Sequence, residues 1–361
     1  MNKKGKSIAD RVLFTWLCVI LVHLILFSII SSNEYLKTPY LLGLEIPLPL
    51  LHGPFLFLYT LALTSGQLAR VKMYLHFLPF AIGFLVIIPF ISLSQEEKIM
   101  VYLNEGEGFE TQSTIIFIGI ILSGITYTIL SLRALRNYKK QIKDNFSSIE
   151  KINLLWLYGL VLCLSFIWVL VFFADDEIIF SSVVLFVIFV GYYGIKQVGV
   201  FTNQQTLGFY PAPTSKEPGG QVPEIAKYDK SALTQSQLRA IHSELVQLME
   251  QRKLFLTPDL TLKMVAEELD IHPNTLSQVI NSVEQKNFFD YINTLRIEEF
   301  KERIAIQDNQ KYTLLSLAYG CGFNSKTTFN RNFKNLTGKS PSEYLKERKI
   351  MPDKRVSALM Q

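Results

Sequence analysis

Two patterns of apolar and polar residues divide the chain. Between residues 11 and 197 apolar residues come in long runs, whereas the rest has the mixed pattern of soluble helices. Six runs are long enough to cross a hydrocarbon core, which takes roughly 20 residues: 12–30, 46–64, 74–93, 114–132, 152–173 and 178–195. Pro47, Pro49 and Pro54 interrupt the start of the second, which is tolerable at an interface or against neighbouring helices. The first run is too long for a signal peptide and lacks a small-residue cleavage site. Beyond residue 233 the spacing is helical, with Leu238, Ile241, Leu245, Leu248 and Met249 on one face of a leading helix.

Two segments of the soluble part share a helix-turn-helix pattern: 262–281 and 314–333. In each, a small residue (Ala266, Ala318) sits where two helices cross closely. Four positions later comes a residue that tolerates left-handed φ, Asp270 or Gly322. Pro273 suits the first turn of the helix that follows, and Ser325 suits an N-cap. Leu276 and Ile280 in the first unit, and Phe329 and Phe333 in the second, are predicted to point inward. This leaves Asn274, Thr275, Ser277, Gln278 and Asn281 outward in the first unit. Ser325, Lys326, Thr327, Asn330, Arg331 and Lys334 form the corresponding set in the second. These side chains hydrogen-bond base edges and phosphates; Arg331 suits a guanine and Lys334 a phosphate. A helix predicted over 288–306 spans roughly 30 Å, close to one turn of B-DNA, and would set the two units in successive major grooves.

The predicted fold class is therefore all-α: an N-terminal bundle of six transmembrane helices, then a C-terminal α-helical domain with two helix-turn-helix subdomains. The boundaries are 1–200 for the membrane half, 201–230 for a proline- and glycine-broken tether, 231–350 for the DNA-binding domain and 351–361 for a disordered tail.

Charge refines both halves. The formal net charge is +5, yet residues 311–355 hold 10 Lys/Arg against 3 Asp/Glu, a local +7 that suits a polyanion. In the apolar half, basic connections alternate with acidic ones. Lys3, Lys4, Lys6 and Arg11 precede the first run, Arg70 and Lys72 follow the second, and Arg133, Arg136, Lys139, Lys140, Lys143 and Lys151 follow the fourth. Glu96, Glu97, Glu105, Glu107 and Glu110 follow the third run, and Asp175, Asp176 and Glu177 the fifth. The positive-inside rule then places both termini in the cytoplasm of a multi-pass inner-membrane protein, on the side where the DNA is.

The second unit, Ala318 to Lys334 followed by Thr337-Gly-Lys-Ser-Pro-Ser-Glu-Tyr344, resembles the signature of the AraC/XylS family of bacterial transcription regulators. Leu276 to Asn281 and Asn287 to Arg296 are similar to the same family over about 233–349. The resemblance implies a seven-helix domain of two subdomains joined by a linker helix, with sequence-specific promoter binding. By motif position it implies contacts from Lys326, Thr327, Asn330 and Arg331, and from Thr275, Gln278 and Asn281. Asp270 stands where the family more often has glycine. The apolar half departs from relatives with a soluble sugar-binding barrel and is similar to membrane-anchored members, some with an additional N-terminal span.

Other chemistry finds little support. Three cysteines, Cys18, Cys163 and Cys321, make neither a disulfide framework nor a zinc motif. His23, His52 and His76 fall on three different runs, which suits packing better than a haem or metal site. Glu45, beside the second run, is a candidate for meeting a ligand on the outer side. No catalytic residue, metal or cofactor is expected. Expected partners are double-stranded promoter DNA and the lipid bilayer, with RNA polymerase, a second copy of the chain and an unknown small ligand or membrane signal as further candidates. Two alternatives are a small transporter or channel with an accessory DNA-binding tail, and a regulator released by proteolysis. Transporters usually need ionisable residues at mid-membrane, and these runs hold almost none.

Overall fold

The computed structural model describes residues 7–65, 70–150, 152, 154–197, 233–306 and 311–347. The predicted tether and tail lie outside the described residues. The chain forms two compact units, Met1–Tyr138 with Leu154–Phe201, and Lys139–Asn153 with Thr202–Gln361. Among the described residues no strand occurs; a lone antiparallel bridge joins Phe146 to Thr261.

The first unit is built from α1 (Ile8–Ser31), α2 (Pro49–Ser65), α3 (Arg70–Leu75), α4 (Leu78–Ile91), α5 (Gln95–Leu103), α6 (Glu110–Asn145), α7 (Leu155–Leu170) and α8 (Asp176–Gln197). Reciprocal capping boxes start two of them, Ser7 with Asp10 on α1 and Ser94 with Glu97 on α5, each satisfying two otherwise orphaned N–H groups. Four helical stretches are long and apolar enough to cross a membrane: Ile8–Ser31, Met73–Ile91, Glu110–Asn145 and Asp176–Tyr193. That is two fewer than the six runs predicted. α2 has 17 residues because Pro47 and Pro49 hold its start to residue 49 instead of 46. α7 has 16 because residues 146–150 fold with the second unit, so the helix begins at Leu155 instead of 152.

Large apolar side chains on these helices face outward, among them Phe14, Leu85, Leu162 and Leu185. Some polar side chains pair between helices: Thr128 with Ser165 at 3.0 Å, and the Tyr127 hydroxyl donating to the His76 carbonyl at 2.9 Å. An exterior this rich in large apolar side chains is unlike the surface of a soluble bundle.

The second unit contains α9 (Gln235–Arg252), α10 (Leu262–Glu268), α11 (Pro273–Val279) with a wide turn over Ile280–Glu284, α12 (Phe288–Ala305), α13 (Leu314–Gly320), α14 (Lys326–Thr337) and α15 (Pro341–Glu347). On the predicted face of α9, Leu245 and Met249 are fully buried. The unit has two cores. Leu245, Val265, Ala266, Leu276 and Ile280 pack with Phe288 and Ile292 from the first half of α12. Ala318, Phe323, Phe329 and Phe333 pack with Ile297, Phe300 and Ile304 from its second half. One 18-residue helix, about 27 Å long, thus serves both subdomains.

Candidate nucleic-acid interface

Both helix-turn-helix units close through the residues their sequences single out. In the first, the Thr261 side chain caps α10 by accepting from the Met264 N–H at 3.2 Å. Asp270 adopts φ +52° and the Ile271 N–H returns to the Ala266 carbonyl at 3.0 Å. His272 then caps α11, its Nδ1 accepting from the Asn274 N–H at 3.2 Å, with Pro273 in the first turn. In the second, Thr313 caps α13 and Gly322 turns the chain at φ +92°. A Cβ at Gly322 would lie 2.7 Å from the Phe255 carbonyl and 2.8 Å from that of Leu256, so both the conformation and the close approach require glycine. Ser325 caps α14, accepting from the Thr328 N–H at 3.2 Å, and Gly338 ends the helix at φ +77°.

The two predicted reading faces differ. On α14, Phe329 and Phe333 are buried while Lys326, Thr327, Asn330, Arg331 and Lys334 are all exposed. None of its three cations makes a salt bridge among the described residues. In the first helix-turn-helix Gln278 and Asn281 are exposed, but Asn274, Thr275 and Ser277 are half-buried, and Asn281 donates to Ser277 Oγ at 3.3 Å. The structure therefore brings a full cationic face together on α14 and a smaller neutral one on α11. Ser325 is half-buried and serves first as a cap.

A contribution with no counterpart in the sequence reading comes from residues 146–150. Ser147 donates its N–H and its hydroxyl to the Leu260 carbonyl, at 3.1 and 2.8 Å. Asn293 Nδ2 donates to the Ser147 carbonyl at 3.1 Å. Arg296, only 1% exposed on α12, spreads its guanidinium over the same segment. Its Nη2 donates to Ser147 Oγ at 3.0 Å and to the Thr257 carbonyl at 2.8 Å, and its Nε to the Phe255 carbonyl at 2.7 Å. Asn324, two residues past the second turn, donates to Ser148 Oγ at 2.9 Å and to Asp259 Oδ1 at 2.7 Å.

The segment ends at the start of α14. Ser325 Oγ donates to Glu150 Oε1 at 3.3 Å, and Ser148 Oγ donates to Glu150 Oε2 at 2.6 Å. Burial would raise the Glu150 carboxyl, but hydrogen bonds from Ser148, Thr328 and Ser325 outweigh it and hold the group below the ordinary carboxylate range. A carboxylate there lies at the positive end of α14, the kind of position that also favours a phosphate.

The sequence signal for this contribution lies in Phe146 and Ile149. Both are large apolar residues in an otherwise charged connection, and both are buried.

Comparison with known proteins agrees with the architecture of the C-terminal part. Residues 265–347, from α10 to α15, match the family described as a helix-turn-helix domain. A curated relative, the uncharacterized HTH-type transcriptional regulator YijO of Escherichia coli (strain K12), is 33% identical over 88 residues. That stretch is 24% of this chain and 30% of the relative, so the chain spans less than a third of the relative's length. No solved structure matches the chain.

Proposed function

From the premise that residues 265–347 form an AraC-type helix-turn-helix domain, we propose that the chain is a membrane-embedded transcription regulator. In this reading the helical half senses a signal at or outside the membrane, and the second unit binds a cytoplasmic promoter. Base reading is assigned to α14, through Arg331 and its neighbours, with α11 adding Gln278 and Asn281. Contact with RNA polymerase and pairing of two copies on DNA belong to the same reading.

The observation that carries the proposal is the incorporation of residues 146–150 into the DNA-binding unit. This segment links α6 to α7, so it can report the state of the helices to the reader directly. It also bears on topology through parity. Were only the four long apolar stretches to cross, α8 alone would separate residues 139–153 from residues 233–347 and put them on opposite faces of the bilayer. The two pieces are hydrogen-bonded into one unit, which supports the reading in which α7 crosses together with α8. The same counting brings in α2, because the basic N-terminus and the basic connection after α6 belong on one side. At 16 and 17 residues, α7 and α2 are about 24 and 26 Å long, a mismatch a bilayer accommodates by local thinning.

Three experiments test the reading. Reporter fusions after Gln67, Lys140 and Lys196 should report cytoplasm and those after Glu107 and Asp176 the outside; one inverted connection sinks the six-span topology. Genome-wide mapping of sites bound by the tagged full-length chain should give a shared sequence motif, and its absence removes the regulator. Release by proteolysis is disfavoured, since a fragment of the C-terminal third would lack Ser147 and Glu150. Immunoblots of cell fractions should show no induced soluble fragment.

A further inference from the structure

The first unit holds an open-sided cavity of about 400 Å³, within the roughly 300–1,000 Å³ range of small-molecule sites. Its chemistry is graded along its length. Trp16, His23, Phe27 and Ile30 line it from α1, and Asp176, Phe180 and Phe186 from α8. Ring contacts set the antiparallel register of these helices: Trp16 meets Phe186 at 5.6 Å, His23 meets Phe180 at 5.0 Å, and Phe27 stacks on Phe180. Asp176 therefore lies near the Ile30 end, about 6 Å along the helix from Phe180.

That end carries two carboxyl groups. Glu45 lines it beside Asp176, and neither forms a salt bridge among the described residues. Glu45 accepts hydrogen bonds from the Gly43 N–H at 2.9 Å and from its own backbone N–H. Burial raises its carboxyl to about 7, a cost that a bound cation would offset. The Tyr102 hydroxyl, also on the lining, is held above its ordinary value by burial and then by the charges of Glu45 and Asp176, so all three groups converge there.

The other end offers a hydrogen-bond donor. Trp16 Nε1, which can only donate, reaches His52 Nδ1 at 3.3 Å. A neutral His52 then carries its proton on Nε2 and donates to His23 Nδ1 at 3.2 Å. His23 is left with a proton on Nε2, for which no partner is found among the described residues. His23 lies seven residues, about 10 Å, from Ile30 along α1. Between the two ends the walls are aromatic, with Phe27, Phe180 and Trp168.

We infer that this cavity binds a protonated aliphatic amine. Its ammonium sits between Glu45 and Asp176, its apolar body lies against Phe27, Phe180 and Trp168, and its far end carries a hydrogen-bond acceptor for His23. Aromatic faces add to the attraction for the cation. The inference deepens the proposed function, naming the class of signal for the sensing half, and rests on that reading for its regulatory meaning only.

The test uses full-length protein in phosphatidylcholine nanodiscs. Two of the three tryptophans, Trp16 and Trp168, line the cavity, so intrinsic fluorescence reads occupancy. 6-Methoxyhexylamine should give a saturable change. 6-Methoxyhexanol and 6-methoxyhexanoate should bind at least tenfold more weakly, and octylamine, which lacks the acceptor, about tenfold more weakly. Glu45→Gln with Asp176→Asn should reduce the amine to the level of the alcohol, and His23→Leu should erase the advantage of methoxyhexylamine over octylamine. If no compound saturates, if the alcohol equals the amine on the unaltered protein, or if the double variant keeps the preference, the inference is wrong. Promoter binding by the same nanodiscs without amine is measured separately. Its failure removes the regulator and leaves the amine result standing.

Discussion

Arg296 Nη2 lies 3.0 Å from Ser147 Oγ although 149 positions separate the two residues in the chain. Through this pair the linker helix of the DNA-binding unit is fastened to the connection that follows α6. The guanidinium is buried, and its donors meet oxygens of Ser147, Phe255, Thr257 and Pro258 with geometry that a lysine cannot reproduce.

Arg296→Lys is therefore expected to destabilise the second unit by about 3 kcal/mol, since several buried carbonyls lose a charged donor. Ser147→Ala should cost about 1 kcal/mol. Limited proteolysis of the full-length protein, followed by mapping cuts within 233–347, reads both. Equal resistance in the Arg296→Lys protein and the parent would show that the network contributes nothing.

Glu150 is expected to oppose DNA while the segment is in place. Replacing it by Gln keeps the shape and removes a charge from the start of α14. The helix-end interaction is about 0.3–1 kcal/mol, so full-length Glu150→Gln should bind specific and unrelated duplexes about 2- to 5-fold more tightly. Unchanged or weaker binding would make Glu150 a cap and nothing more.

The pH dependence follows from the same carboxylate. Its folded value is depressed, so its stabilising contribution is present above the ordinary carboxylate range and lost as pH falls through the folded value. Glu299 behaves alike: burial opposes its charge, but hydrogen bonds from Lys253 and Arg303 prevail. Thermal unfolding of the second unit should be flat from pH 7 to about pH 5 and decline in stronger acid. The decline should be shallower in Glu150→Gln without vanishing, because Glu299 remains. An identical acid limb would contradict the assignment.

On the reading face, Arg331→Ala should weaken specific binding by about 1–3 kcal/mol and relax preference at one base pair. Lys334→Ala should weaken all DNA alike and reduce the salt slope by about one unit. Gln278→Ala should resemble Arg331→Ala if α11 also reads bases. Binding measured on the full-length protein across a salt series separates these outcomes, and an unaffected Arg331→Ala protein would mean that another face reads DNA.

Much of the second unit was legible because its determinants are local. Asp270 and Gly322 mark turns by their tolerance of positive φ, Ser325 marks a cap, and Phe329 and Phe333 mark a buried stripe. Arg296 was visible only as part of a motif, since its partners come from residues 147 and 255–258 and no local pattern encodes that meeting. The half-burial of Asn274, Thr275 and Ser277 was hidden for a related reason: periodicity assigns a face but not what covers it. Apolar runs likewise report where helices can form, while their ends were set by Pro49 and by the demands of residues 146–150.

The long separation of Ser147 from Arg296 also orders events during synthesis. Ser147 leaves the ribosome 149 residues ahead of its partner, an interval of roughly 7 to 30 seconds at 5–20 residues per second. Throughout it, Phe146 and Ile149 have no core to enter. The reader is completed only when α12 reaches a segment whose position is fixed by helices made earlier. Under the proposed function, a chain whose α6 and α7 are wrongly inserted would leave its DNA-binding unit unfinished, which would make correct membrane insertion a condition for acquiring the ability to bind DNA.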